Sequence, residues 1–190
     1  MTHPPRPKPR PAVFLDRDGT INIDTHYLRH TDEVSLIAGA AEAIARLNEA
    51  GIPVIVVSNQ SGIGRGLLTH ADYEQVQARI GELLALSGAH IDASYICPHA
   101  PSSDTGEPMC ECRKPGTLLF RTAAAEHAID LSRSTFIGDR WRDISPALAF
   151  EARGILVPSQ DTPAADLTRA RAELRVEPTL LAAVEFVLRG

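Results

Sequence analysis

The sequence predicts an α/β fold in which a parallel β-sheet carries helices on both faces. Short, continuously apolar, β-branched runs alternate with segments of helical period, the pattern of strands covered on both sides. Three of these runs end in polar residues: Asp16, Ser58-Asn59 and Asp139. Ligands of such sheets bind beyond the carboxyl ends of the strands, so three separate stretches are expected to meet there. The 190 residues are enough for one domain with a sizeable core.

The opening eleven residues, "MTHPPRPKPRP", hold five prolines among basic side chains and read as a stiff, extended tail. The domain is expected to span residues 12–190. "AVFLD" (Ala12 to Asp16) reads as a buried strand, followed by a polar loop to about Leu36. Ala40, Ala43, Ile44 and Leu47 recur at helical spacing, and Gly51 closes that helix. "IPVIVVSN" (Ile52 to Asn59) is a second strand, and Gly62 to Gly66 a glycine-rich turn. Thr69 to Asp72 fits a capping box for a helix whose stripe is Tyr73, Val76, Ile80, Leu83 and Leu84. Ile91 to Cys97 is a weaker strand, Leu118 to Ile129 a helix, and Ser134 to Asp139 a strand. Asp143 to Phe150 reads as one helix, with Pro146 tolerated in its first turn. Gly154 to Val157 reads as the last strand and Pro178 to Leu188 as the last helix.

Composition narrows the function. A hydrophobic share of 44% and a charged share of 23% are ordinary globular values. The net charge of −5 gives no reason to expect nucleic acid or an anionic membrane as partner. No apolar run approaches the roughly 18 residues of a membrane span, and the tail has no apolar stretch of a secretory signal. A cytoplasmic monomer acting on a small molecule is the expectation.

"DRDGT" sets Asp16 and Asp18 two residues apart just past a strand, where both side chains can share one face. Two close carboxylates repel unless a cation or a shared proton intervenes. With Asp139 they make three hard oxygen ligands of the kind magnesium takes. A single acid after a strand more often caps a turn; three at strand ends beside Ser58-Asn59 favour a site. Lysine usage points the same way: of 19 lysines and arginines only Lys8 and Lys114 are lysine. A compact ammonium and a planar guanidinium are not interchangeable where geometry is tight.

All three cysteines fall in "CPHAPSSDTGEPMCECRK". Cys97, His99, Cys110 and Cys112 form a C-x-H … C-x-C set, whose three sulfurs and one imidazole suit tetrahedral structural zinc. The cysteines alone could instead be a redox cluster. A zinc clamp here would fix the backbone from which Arg113 and Lys114 project.

"FLDRDGT", "VVSNQSG", "CRKP" and "IGDRWRD" resemble, in order and spacing, the four motifs of the haloacid-dehalogenase-like (HAD) phosphohydrolases, from about Val13 to Val157. Within that superfamily the chain is similar to the small capless branch of heptose-bisphosphate and histidinol-phosphate phosphatases. The resemblance implies a HAD-like Rossmannoid sheet without a cap and with a zinc-pinned loop. It implies Asp16 as nucleophile, Asp18 as general acid and then base, and Mg²⁺ on Asp16, Asp139 and the backbone carbonyl of Asp18. It implies Ser58, Asn59 and Lys114 on the phosphoryl group, Asp143 as a supporting acid and Arg113 on substrate. Its substrate would be heptose 1,7-bisphosphate, attacked at the C7 phosphate, with histidinol phosphate as rival. A non-catalytic, zinc-stabilised binding module is the alternative of another class. Trp141 is expected in core or rim packing; His26, Tyr27 and Arg65 stand near the expected site.

Overall fold

The computed structural model describes residues 8–102 and 110–190. The expected tail thus lies mostly outside the described residues, as does the middle of the cysteine loop. Among the described residues the sheet has six strands, all parallel, in the order β3-β2-β1-β4-β5-β6. They are β1 (Val13–Leu15), β2 (Val54–Asn59), β3 (Ala93–Cys97), β4 (Thr135–Gly138), β5 (Arg153–Leu156) and β6 (Arg175–Val176). β1 is central, with Leu15 opposite Val56 on one side and Ile137 on the other. Strand order reverses at β1, which opens a crevice beyond the carboxyl ends of β1 and β4.

Alternating side chains build two cores. Val13, Leu15, Val54, Val56, Ile137 and Ile155 face α1 (Ala40–Glu49), α3 (His70–Ala85) and α8 (Leu180–Leu188). Phe14, Ile55, Val57 and Phe136 face α4 (Leu118–His127) and α6 (Pro146–Ala149) on the other side. Phe14 stacks on Phe136 at 5.0 Å and meets Phe120 edge-on at 5.4 Å. Each such buried side chain is worth about 1.5–3 kcal/mol. That anchors the strand whose next residue is Asp16.

Local chemistry explains the boundaries. Thr69 Oγ1 accepts from the Asp72 N–H (3.1 Å) and Asp72 returns the bond to the Thr69 N–H (2.7 Å), the expected capping box. α4 stops at His127, because Ala128 turns left-handed (φ 51°) and Ile129 bridges to Arg10. α8 starts at Leu180, two residues later than expected, where Thr179 caps it through the Ala182 N–H (3.1 Å). The helix expected over Asp143 to Phe150 is two short ones, α5 (Trp141–Ile144) and α6. Pro146 has no N–H to continue α5 and serves as the first residue of α6 instead. The glycine-rich turn contains a one-turn helix, α2 (Ser61–Gly64). The sequence reading did not find α7 (Ala164–Glu173) or the two-residue β6. No helix among the described residues is long and apolar enough to cross a membrane. Among them, neither the segment after β1 nor that after β3 forms a second folded unit over the crevice.

Candidate active site

At the carboxyl edge, the Asp16 N–H still donates to Ile137 O (2.9 Å), so its side chain projects just past the sheet. Lys114 meets it there. Its Nζ donates to Asp16 Oδ1 (2.7 Å) and Val57 O (2.6 Å) and pairs with Asp143 Oδ1 at 2.8 Å. Asn59 locks the backbone of this lysine: Oδ1 accepts from the Lys114 N–H (2.9 Å) and Nδ2 donates to Lys114 O (3.2 Å). Asn59 is thus tied to the Lys114 backbone, a contact the sequence did not suggest.

Asp139 follows β4. Its Oδ2 accepts from Ser159 Oγ (2.7 Å), and its carbonyl accepts from Thr162 Oγ1 (2.7 Å). Gly19, at φ +84°, passes so close that a Cβ would lie 2.6 Å from Asp139 Oδ2, so the loop after "DRD" needs glycine there. Asp143, on α5, accepts from the Arg140 N–H (3.0 Å) through Oδ2. Its Oδ1 is buried against the Lys114 ammonium, 2.8 Å away. The carboxylates of Asp16, Asp139 and Asp143 offer oxygens within 4.8 Å of one another.

Lys114 and, at longer range, Arg140 (3.4 Å from Asp139) and Arg142 (3.9 Å from Asp143) offset these three buried carboxylates only in part. Burial first, and then Asp143, push Asp16 up to about 7 against the pull of Lys114. Burial and Asp143 likewise raise Asp139 to about 6. A divalent cation would relieve this crowding, with oxygens of Asp16, Asp139 and Asp143 within reach of one site. The donor set fits magnesium.

Asp18 points elsewhere. Both its oxygens are held by Arg17, Asn22 and Gln60 at 2.8–3.1 Å. Burial would raise its pKa, but the Arg17 charge and these hydrogen bonds outweigh it and hold the carboxyl below the usual range. Any share of Asp18 in a metal site therefore falls to its backbone carbonyl, as the resemblance implied. Ser58 Oγ accepts from Gln60 Nε2 (2.8 Å). Asp16, Asp18, Ser58, Gln60, Lys114, Asp139 and Asp143 line a cavity of about 370 Å³, with Arg113, Arg140 and Arg142 along its cationic side.

The comparisons with known proteins agree with this geometry. A HAD-hydrolase-like family model matches residues 111–183. The D-glycero-β-D-manno-heptose-1,7-bisphosphate 7-phosphatase of Pseudomonas aeruginosa is 41% identical over 149 residues, 78% of this chain and 81% of that protein. The Yersinia pestis protein of the same name is 39% identical, covering 73% of this chain and 75% of its own. The chain belongs to the HAD-like heptose-bisphosphate phosphatase family. Among solved structures, the D,D-heptose 1,7-bisphosphate phosphatase of B. bronchiseptica, complexed with magnesium and phosphate, superimposes with a TM-score of 0.84. It is 31% identical and covers 94% of this chain and 98% of that one. The four-motif resemblance is thereby borne out.

In this HAD-like phosphatase the cysteine loop forms a closed cluster. The Sγ atoms of Cys97, Cys110 and Cys112 lie 3.1–3.5 Å apart, and His99 Nδ1 sits 3.2 Å from Cys112 Sγ. Four soft ligands this close fit one tetrahedral zinc, and no fourth thiol is present for a second disulfide pair. The loop grips the catalytic edge at several points. Gln60 N–H donates to Cys97 O (2.8 Å), Gly64 N–H to Pro98 O (2.8 Å) and Arg113 Nη1 to His99 O (3.2 Å). A side chain at Gly64 would strike Pro98 O at 2.7 Å.

Of the other residues singled out, His26 and Tyr27 are exposed at the mouth of the cavity, both with positive φ. Trp141 packs at the rim of a small core under the Arg169 guanidinium (4.1 Å), in line with its packing role. Arg65 is exposed. Arg17, Asn22, Gln60, Ser159 and Thr162 were not expected at the site. Arg17 and Gln60 sat unread inside quoted motifs.

Proposed function

We propose that this phosphatase removes the C7 phosphate of D-glycero-β-D-manno-heptose 1,7-bisphosphate through an aspartyl-phosphate on Asp16. The observation that carries the reading is the Asp16–Lys114–Asp143 arrangement at the head of β1, in a chain whose relatives bear that activity in their names. An Asp16 oxygen attacks phosphorus as the bond from phosphorus to the C7 oxygen breaks, and Asp18, ionised in the free chain, takes up a proton from solvent as substrate binds and delivers it to that leaving oxygen. Asp18 then takes a proton from the water that attacks phosphorus, inorganic phosphate departs, and Asp16 is restored. Lys114 orients Asp16 and offsets the phosphoryl charge, and Ser58 donates its hydroxyl proton to a phosphoryl oxygen. Magnesium, held by Asp16, Asp139 and the Asp18 carbonyl with Asp143 beside them, supplies the charge that lets an anionic carboxylate meet an anionic phosphate. Arg113, supported by Arg140 and Arg142, grips the second phosphate with a planar fork.

The test is ³¹P NMR of the product alongside kinetics on the rival. The C7 resonance is expected to be lost and the C1 phosphate retained, with histidinol phosphate turned over about 100-fold less efficiently. Preference for histidinol phosphate would reassign the substrate.

Zinc on Cys97, His99, Cys110 and Cys112 supplies a crosslink. Its work is done by this chain's own bonds from the loop to Gln60, Gly64 and Arg113. Displacing Arg113 and Lys114 by about 1 Å is enough to cost on the order of 100-fold. Stripping zinc is therefore expected to lower kcat by about that factor while magnesium is held saturating. Full kcat after metal analysis verifies zinc loss would contradict the coupling.

A further inference from the structure

The three acids at the head of β1 and β4 are not held alike. Asp16 accepts from Lys114 Nζ through Oδ1 (2.7 Å). Asp143 is engaged at both oxygens, by the Arg140 N–H at Oδ2 (3.0 Å) and by Lys114 at Oδ1 (2.8 Å). Asp139 accepts from the Ser159 hydroxyl through Oδ2 (2.7 Å), and Arg140 Nε lies 3.4 Å from the same oxygen. Gly19 closes over that oxygen as well, since a Cβ there would lie 2.6 Å away. Two oxygens are left without a donor among the described residues: Asp16 Oδ2 and Asp139 Oδ1. Both residues line the cavity. The chain thus presents one open oxygen from each of these two acids.

The Ser159 hydroxyl is aimed by its surroundings. Its oxygen accepts from the Asp161 N–H (3.2 Å), which leaves its proton for Asp139 Oδ2. The other acceptor in range, Thr162 Oγ1, is farther away at 3.4 Å. Thr162 closes the turn. Its Oγ1 accepts from the Ser159 N–H (2.9 Å) and donates to the Asp139 carbonyl (2.7 Å), and its own N–H bonds Ser159 O (3.2 Å). The turn follows β5, where the Val157 N–H is tied to Gly138 O (2.9 Å), the residue before Asp139. Thr162 therefore fixes the backbone of Asp139, and Ser159 fixes which way its carboxylate faces.

Divalent cations differ in how they take a carboxylate. Mg²⁺ demands near-octahedral geometry and keeps several positions for water and phosphate oxygens. Ca²⁺ takes about six to eight oxygens in looser geometry and accepts both oxygens of one carboxylate. A carboxylate with one oxygen occupied by a donor serves the first ion and costs the second a ligand. We propose that Ser159 is a positioning residue that keeps Asp139 a one-oxygen ligand and thereby sets the preference of the site for Mg²⁺ over Ca²⁺. The inference rests on a magnesium site at Asp16 and Asp139, and not on which phosphate ester is cleaved.

The test is displacement of bound Mn²⁺ from the full chain by Mg²⁺ or by Ca²⁺, followed through the electron paramagnetic resonance of free Mn²⁺. The chains compared are the parent, Ser159→Ala, Ser159→Thr, Ser159→Val and Asp139→Asn. The ratio of the Mg²⁺ to the Ca²⁺ displacement constant does not depend on how tightly each variant holds Mn²⁺. Losing a hydrogen bond to a metal ligand commonly costs about 10- to 100-fold in affinity. In Ser159→Ala the ratio is expected to move about 10-fold towards Ca²⁺, because Ca²⁺ recovers part of that loss through the freed Oδ2. Ser159→Thr, which keeps the hydroxyl, is expected to stay within about 2-fold of the parent. Thr and Val share a shape and differ in the donor, so that pair decides the matter if Ser159→Ala is not folded by circular dichroism. An equal change for both ions, or no change, overturns the proposal, since a merely structural residue would weaken both alike. Asp139→Asn separates the two ideas. If it binds Mn²⁺ as the parent does, the magnesium site falls and this inference with it. If it binds Mn²⁺ more weakly and the Ser159 variants keep the parent ratio, only the role of Ser159 falls.

Discussion

Asp16→Asn is expected to lower kcat/KM by at least about 10⁴-fold, because the amide oxygen cannot form the covalent intermediate on which both steps depend. The loss should be chemical and not structural. Asn matches Asp in shape, and its oxygen can still accept from Lys114 Nζ, which lies 2.7 Å from Oδ1. It also removes one of three crowded carboxylates, the one that burial and Asp143 already push up to about 7. Metal-free thermal stability at pH 8 is therefore expected to be unchanged or higher in the variant. Phosphate release and a melting curve on the same preparation check both halves. An unfolded variant would leave the chemical half undecided, so Asp16→Ser, smaller and neutral, is the companion.

Lys114→Met is the second large effect. The ammonium is 3% exposed and spends its donors on Asp16, Val57 O and Asp143. Burial alone would lower its pKa, but Asp143 and Asp16 raise it, so it stays charged. Methionine keeps the stem and removes the charge, so the nucleophile loses its orientation and the phosphoryl group its counter-charge. kcat is expected to fall about 10²- to 10³-fold. Stability should fall too, by about 3–5 kcal/mol without magnesium at pH 8, since two buried acids lose their cation. The pH dependence follows from linkage. A carboxylate whose folded pKa lies above its unfolded value contributes stability below the unfolded value and loses it as pH rises through the folded one. For Asp16 that window runs from 3.8 to about 7 in the parent chain, and losing Lys114 moves its upper end higher. The variant's deficit is thus expected to shrink as pH is lowered from 8 towards 5, where a proton replaces the cation. Urea unfolding at several pH values, without metal, checks this; a deficit that grows on acidification would contradict the ion-pair account.

What the residues alone conveyed depended on range. β1 and β2 were legible because they are buried on both faces and carry no polar residue until they end, and β4 because only Thr135 at its start interrupts that pattern. Asp16, Ser58 and Asp139 were legible for the same reason, as polar stops at the ends of apolar runs. The pairing of Asn59 with the Lys114 backbone was not, since the partners lie 55 residues apart and neither breaks a local pattern. Arg17 was hidden by its composition: an arginine between two aspartates reads as a solvated charge, and charged residues are rarely fully buried unless paired. Here it is paired, with Asp18 at 2.8 Å. β6 was invisible because two residues show no period, and α7 because its only large apolar residue is Leu167 and it buries only Ala170 fully. The break before α6 could have been read from Pro146, which was taken as tolerated within a longer helix.

The central claim is that the phosphoryl group passes through Asp16. Rapid acid quench during turnover of an aryl phosphate, followed by peptide mapping, measures it most directly. The account predicts phosphate on the peptide bearing Asp16, and none there in Asp16→Asn. Phosphate trapped on a different residue, or an Asp16→Asn variant that matches the parent in turnover, would contradict it.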